Sequence, residues 1–250
     1  MTPLEVLLPF MVIAALAGYF QTVTGFGLGM IVMGATSGLD VAPMASVAAV
    51  VSLMTLTNSA VALPGKLKHV DLRLIGVTIA GILPAMVIGV LLLAYLSSSA
   101  ANLLRIALGM MLCYGGISLV LHPRQRDTLS SEGSFFISGL LSGLCGGLFG
   151  IAGPPVIYQC YRQPLTPVAI RNMLILIFAA SSGMRTLFVA VQGTLNAEII
   201  YLTVWAIPMV ALATYAGRRW PPSLSQLALR RLAFVTLMLI GGGLIASVLI

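Results

Sequence analysis

Charge is what this 250-residue chain has least of. Only 8% of its residues are Asp, Glu, Lys or Arg, where a soluble domain carries about 25%. Hydrophobic residues make up 59% and the mean hydropathy is +1.08. A soluble chain of this length could not bury so much apolar surface, so a bilayer must serve as solvent. That excludes a soluble enzyme, a nucleic-acid-binding module and a disordered protein. A β-barrel is excluded as well, because its strands would be short and alternate apolar with polar, whereas the apolar runs here are long and continuous.

Acidic residues are scarcer still, six against 13 Lys and Arg. The formal charge of +7 reads as the positive-inside bias of membrane loops rather than as a nucleic-acid footprint. There are three cysteines, Cys113, Cys145 and Cys160, all in apolar context and without CxxC spacing, so neither a disulfide framework nor a metal site is indicated. The two histidines, His69 and His122, fall in predicted loops without ligand-type partners. No cofactor is implied. The chain has no phosphate-binding P-loop, which argues against direct drive by ATP. No acidic residue is placed as a proton or sodium relay, and the energy source stays open between exchange, proton symport and facilitated diffusion.

What is present is a series of charge-free runs. A helix needs about 20 residues to cross the hydrocarbon core, and six simple spans are expected at 41–63, 73–95, 102–121, 166–190, 198–217 and 228–249. Residues 6–17 look like the core of a signal peptide, but no basic residue precedes them and the apolar run continues to Leu39. Residues 1–37 therefore read as part of the mature protein. Two segments are odd. Residues 4–37 are interrupted by Thr24-Gly25-Phe26-Gly27-Leu28-Gly29, and residues 133–161 by the run Gly146 to Pro155.

The odd segments look like copies of each other. A shift of 125 residues places Gly18 on Gly143 and Gly25 on Gly150. With a shift near 125–128 downstream, Gly65 meets Gly193, Arg105 meets Arg231 and Gly115-Gly116 meets Gly241-Gly242. The expected architecture is an all-α polytopic membrane protein of two repeats, 1–125 and 126–250, in one membrane domain. Each repeat is a Gly-broken re-entrant segment plus three transmembrane helices. Loop charges favour inverted repeats over the alternative, eight ordinary spans in a parallel repeat. Lys66, Lys68 and Arg73 follow the first simple span, whereas the equivalent loop, 191–198, carries no basic residue. Loop 96–101 has none either, and its equivalent carries Arg218, Arg219, Arg230 and Arg231. Equivalent loops thus fall on opposite faces.

A helix broken inside a membrane frees backbone N–H and C=O groups, each costing several kcal/mol in hydrocarbon unless protein or water satisfies them. Paired breaks at matching positions of two halves therefore point to a transporter site. A helix that restarts after the break aims unpaired N–H groups and a positive dipole end at the cavity, an arrangement that binds anions. Gly25, Gly27, Gly150 and Gly153 allow tight turns and close backbone approach, and Pro154 suits a helix start.

Gly150-Ile151-Ala152-Gly153-Pro154-Pro155, together with Gly25-Phe26-Gly27, resembles the TauE/SafE sulfite-exporter family over nearly the whole chain. The resemblance implies a secondary transporter of small sulfur-containing or carboxylated anions, such as sulfite or sulfoacetate, in the bacterial inner membrane. Its partners would be the anion, the bilayer and a coupling ion if there is one. In the first half Leu28 interrupts the family's triple glycine, with Gln21 and Thr24 as flanking polar groups.

The intramembrane polar residues fit an anion. Arg171 and Arg185 share one span, 14 residues apart. At about 100° and 1.5 Å per residue they face within about 40° of each other, about 21 Å apart along the axis. A guanidinium forks well onto sulfonate or carboxylate oxygens. Either arginine could instead snorkel to a membrane face. Gln21, Thr22, Thr24, Asn58 and Asn172 are further candidates, with Asn58 aligning with Arg185 at a shift of 127. Tyr158 and Gln159 follow the second break closely enough to reach a cavity. A competing reading is an intramembrane thiol enzyme or sulfur carrier with Cys145 as nucleophile, which replacement of all three cysteines by serine would distinguish.

Overall fold

A computed structural model of the chain describes residues 3–38, 42–65, 70–120, 125–222 and 226–249. Lys66, Lys68, His69 and His122 lie outside the described residues. Those described form ten helices and no strand. In order they are α1 (Pro3–Thr24), α2 (Leu28–Gly38), α3 (Met44–Ala62), α4 (Leu72–Ser99), α5 (Ala101–Val120), α6 (Glu132–Phe149), α7 (Pro154–Tyr161), α8 (Pro167–Val191), α9 (Ala197–Arg219) and α10 (Gln226–Leu249).

Among the described residues α5 and α10 offer only shorter apolar stretches, Ala101–Ile117 and Phe234–Leu249, but helices α3, α4, α5, α8, α9 and α10 fall on the six expected simple spans, each end within four residues. Their starts follow local chemistry. The Asp71 carboxylate accepts the N–H groups of Arg73 and Leu74, the Thr166 hydroxyl accepts that of Ala169 ahead of Pro167, and the Asn196 side chain accepts that of Ile199. Each side-chain cap satisfies helix N–H groups that have no intrahelical acceptor. The two broken segments are α1–α2 and α6–α7, and their arms are unequal. α1 has 22 residues and α6 18, against 11 in α2 and 8 in α7. Consequently α1 and α6 are themselves long and apolar enough to cross a membrane, as are α3, α4, α8 and α9.

Glycine sets how closely the helices approach. On α6, a Cβ at Gly139, Gly143 or Gly147 would overlap the carbonyl oxygens of Thr78, Ile82 and Met86 on α4. Both series advance in steps of four, so α4 and α6 run parallel in backbone contact. Small residues at this spacing are how helices pack in lipid, where van der Waals contact replaces a hydrophobic drive. An ion pair joins the starts of the same two helices, Arg73 to Glu132 at 2.6 Å. α3 and α9 also run parallel. The Ser46 hydroxyl donates to Glu198 near their starts, Asn58 to Thr214 further along, and Arg218 to the carbonyl of Val61 at their ends. α1 packs beside α9 in the same sense, with Gly18 against Val210 and Gly217 against Thr22. Two pairs run antiparallel. Gly109 of α5 meets Gly241 and Ile245 of α10, while Gly116 meets Leu237. On α3, Ser59 donates to the carbonyl of Ile175 of α8, while Leu56 lies beside Gly183. Phe10, Phe26, Met33, Met54, Leu108 and Phe135 fill the interior. Leu91, Val204 and Leu239 stand exposed on outer helix faces, as expected of surface that meets lipid.

Candidate functional site

The first break is three residues long. α1 closes with Gly25 N–H donating to the Gln21 carbonyl at 2.7 Å. Gly25 and Gly27 then take φ of +90° and +107°, backbone that favours glycine. The Thr24 hydroxyl bridges the turn, 2.8 Å from the Phe20 carbonyl and 2.9 Å from that of Phe26. The Gln21 amide reaches across it. Its oxygen accepts the Leu28 N–H at 3.2 Å, and its nitrogen donates to Asn58 Oδ1 at 3.1 Å. Asn58 Nδ2 in turn lies 2.7 Å from Thr214 Oγ1, 2.8 Å from Thr22 Oγ1 and 3.1 Å from the Gly18 carbonyl. All these side chains are buried. The network ties α1, α3 and α9 to the start of α2, and a fully satisfied buried network is rigid.

The second break uses a related device. Gly150 sits in the left-handed region, φ +70°, with its N–H on the Gly146 carbonyl at 2.9 Å. The Ser142 hydroxyl on α6 accepts the Val156 N–H at 3.0 Å. The two breaks do not offer the same donors, however. Pro154 and Pro155 carry no N–H, and Ser142 occupies that of Val156. On α2, only the Leu28 N–H is taken by Gln21, so Gly29 and Met30 keep first-turn N–H groups without intrahelical acceptors.

The breaks meet. Gly29 lies beside the Ile151 side chain and the Gly150 carbonyl, and the Met30 sulfur lies by Gly153. Around this contact is a cavity of about 20 Å³ lined from both halves, by Gln21, Gly27, Gly29, Met30 and Thr55 and by the backbone run Gly150 to Gly153, with Phe178, Ser181 and Ser182 closing it. That volume admits about one water, so a sulfur oxyanion enters only if the walls part.

Arg185 lies one turn beyond Ser181 on α8. It is 3% exposed. Nη2 is 3.5 Å from the Gly147 carbonyl, while Nε and Nη1 have no hydrogen-bond partner. No carboxylate pairs with it among the described residues. Snorkelling to a membrane face does not describe a side chain this enclosed. Arg171 is half-buried, its backbone packed against Gly25. The two arginines therefore serve different breaks, Arg171 touching the first and Arg185 the end of α6 before the second.

The remaining candidates disperse. Gln21, Gly27, Gly150 and Gly153 line the cavity. Thr22 and Asn58 belong to the network behind it, Thr24 holds the turn, and Pro154 packs against Gly115 of α5. Asn172 is buried on α8. Tyr158 lies under the Arg162 guanidinium, 5.7 Å from it, and Gln159 accepts from Gln163 through its carbonyl; neither lines this cavity. Thr55, Ser181 and Ser182 escaped the sequence reading. Their signal was one helical turn of spacing from Asn58 and Arg185. Ser142 and Thr214 were missed too, because their partners lie 14 and 156 residues away.

Long apolar helices around two paired breaks define a multi-pass membrane protein of the transporter class, with a small cavity where the breaks meet. The comparisons narrow this further. The sequence model described as "Sulfite exporter TauE/SafE" matches residues 10–244. A relative from Cupriavidus necator named "Probable sulfite/organosulfonate exporter TauE" is 55% identical over 243 residues, covering 96% of this chain and 95% of its own. The chain therefore belongs to the TauE/SafE sulfite-exporter family. It is a transporter and not an enzyme, which removes the thiol chemistry weighed for Cys145. No solved structure matches it.

Proposed function

We propose that the chain exports small sulfur oxyanions, sulfite and sulfonates such as sulfoacetate, across the bacterial inner membrane as a secondary transporter. The anion occupies the cavity between the breaks, with Gly29 and Met30 N–H groups at its wall, and the Arg185 guanidinium, one turn of α8 beyond the lining residues Ser181 and Ser182, reaches it when the walls part. The observation that carries this is Arg185. A buried cation with two unpartnered donor atoms is costly, and a bound oxyanion offsets that cost with charge-assisted hydrogen bonds. Gln21, Thr55, Ser181 and Ser182 supply further polar contacts. The name of the Cupriavidus relative agrees with this substrate class.

The two halves, 1–125 and 126–250, form inverted repeats in one membrane domain. Helix directions support this reading: α5 and α10 occupy equivalent places and run antiparallel, as do α3 and α8. The neighbours correspond too, since α1 packs on α9 as α6 packs on α4. Gly25 against Arg171 matches Gly150 against Ala48. Inverted halves that meet at one cavity suit alternating access, in which one half rocks against the other.

Sulfite, sulfoacetate, taurine and simple carboxylates tested for thermal stabilisation of the purified protein examine the assignment, because a ligand bound only by the folded state raises Tm. Sulfite or a sulfonate should raise it with saturable concentration dependence. Stabilisation by carboxylates alone, or by none of the panel, contradicts the assignment.

A further inference from the structure

A second cavity, of about 310 Å³, lies on the other side of the first break. Gly27 lines both this cavity and the small polar one. Its walls are otherwise apolar, chiefly Phe20, Phe26, Ile31 and Leu237. Leu16 and Leu232 flank it and are 64% and 56% exposed, so it opens through the lipid-facing surfaces of α1 and α10. Protein interiors rarely leave voids much larger than a water, and an apolar void does not hold water. In a bilayer the matter at hand to fill it is hydrocarbon.

The mouth has interfacial chemistry. Tyr19, in the wall, donates its hydroxyl to the Trp220 carbonyl at 2.9 Å, and Pro222 follows in the wall. Trp220 is 66% exposed, and Trp and Tyr mark the headgroup level. Arg219 and Arg231 are exposed on either side of this loop, Arg231 adjoining the wall residue Leu232. No acidic residue follows Glu198 in the chain, so nothing in α10 or the loop before it neutralises them. Exposed basic residues at a membrane surface attract anionic lipid.

We propose that this groove binds one acyl chain of an anionic phospholipid, its phosphate headgroup held at Arg219 and Arg231 and its chain reaching the back of the first break at Gly27. Lipid charge then bears directly on the turn whose other side lines the polar cavity.

The chain has two tryptophans, and Trp205→Phe leaves Trp220 as the reporter at the mouth. In phosphatidylcholine nanodiscs, a small fraction of phosphatidylglycerol brominated on its acyl chains should quench Trp220 at least twice as strongly as the same fraction of brominated phosphatidylcholine. Arg219→Gln with Arg231→Gln should remove that preference. Thr236→Phe, which fills the groove without touching the arginines, should weaken quenching while circular dichroism and gel-filtration elution stay unchanged. Equal quenching by both lipids means an ordinary lipid annulus and overturns the proposal, as does undiminished quenching in folded Thr236→Phe. The readout needs no transport, so it stands apart from the substrate assignment.

Discussion

The side-chain oxygen of Gln21 accepts the backbone N–H of Leu28 across the turn that interrupts the first segment. One residue thus ends α1, starts α2 and, through Asn58, anchors both to α3. The second segment repeats the device with Ser142 and Val156. In each case a side chain from the helix entering the break satisfies an N–H that hydrocarbon would leave unpaired.

Gln21→Ala should therefore lower stability rather than only activity. It strips a buried N–H and a buried amide of their partners, a change worth about 1–3 kcal/mol. Thermal unfolding in detergent checks this. Asn58→Ala should give a similar loss through the same network, and the double variant should cost less than the two singles added together. Additive losses would show the two side chains acting independently.

Gly143→Ala tests the α4–α6 contact. Its new methyl meets the Ile82 backbone, and overpacking costs about 1–3 kcal/mol. Gly133→Ala on the same helix has nothing within 4 Å and should leave Tm close to wild type. The difference between the two melting curves isolates helix packing from helix propensity.

The first break should tolerate no side chain at Gly27. A Cβ there would sit 2.8 Å from the Phe20 ring on a backbone with φ of +107°. Gly27→Val should abolish efflux from loaded proteoliposomes while the protein still inserts. Gly76→Ala, in open space on α4, should transport normally.

Inverted halves predict the sidedness of loops. Cysteines placed at Arg219 and at Asp127, in a background without native cysteines, should label from the cytoplasm. One at Gln192 should label only from outside. If Gln192 and Arg219 label from the same face, the inversion is wrong.

Much of the fold was legible because its signals are local. Charge-free length located the spans, while the side-chain caps Asp71, Thr166 and Asn196 that begin three of them came to light with the structure. Gly25, Gly27 and Gly150 announced the breaks because left-handed backbone favours glycine. The site was legible only in outline. Gly139, Gly143 and Gly147 display a small-residue stripe, but nothing local names α4 as its partner. Ser181 and Ser182 look like ordinary hydroxyls in an apolar helix until the breaks are folded against them. Pro154-Pro155 marked a helix start correctly. The same prolines, by lacking N–H groups, shift the backbone donors to α2, a consequence that emerges only when both breaks share one cavity.

If Arg185 holds the transported anion, sulfite should bind purified Arg185→Ala more weakly than wild type at fixed ionic strength. Truncating one partner of a buried charge pair costs about 2–5 kcal/mol, so the dissociation constant should rise at least tenfold over wild type. Arg185→Lys should recover only part of that loss, because an ammonium lacks the fork. Unchanged affinity in a folded Arg185→Ala protein would contradict the account and leave the anion to the helix start at Gly29 and Met30 alone.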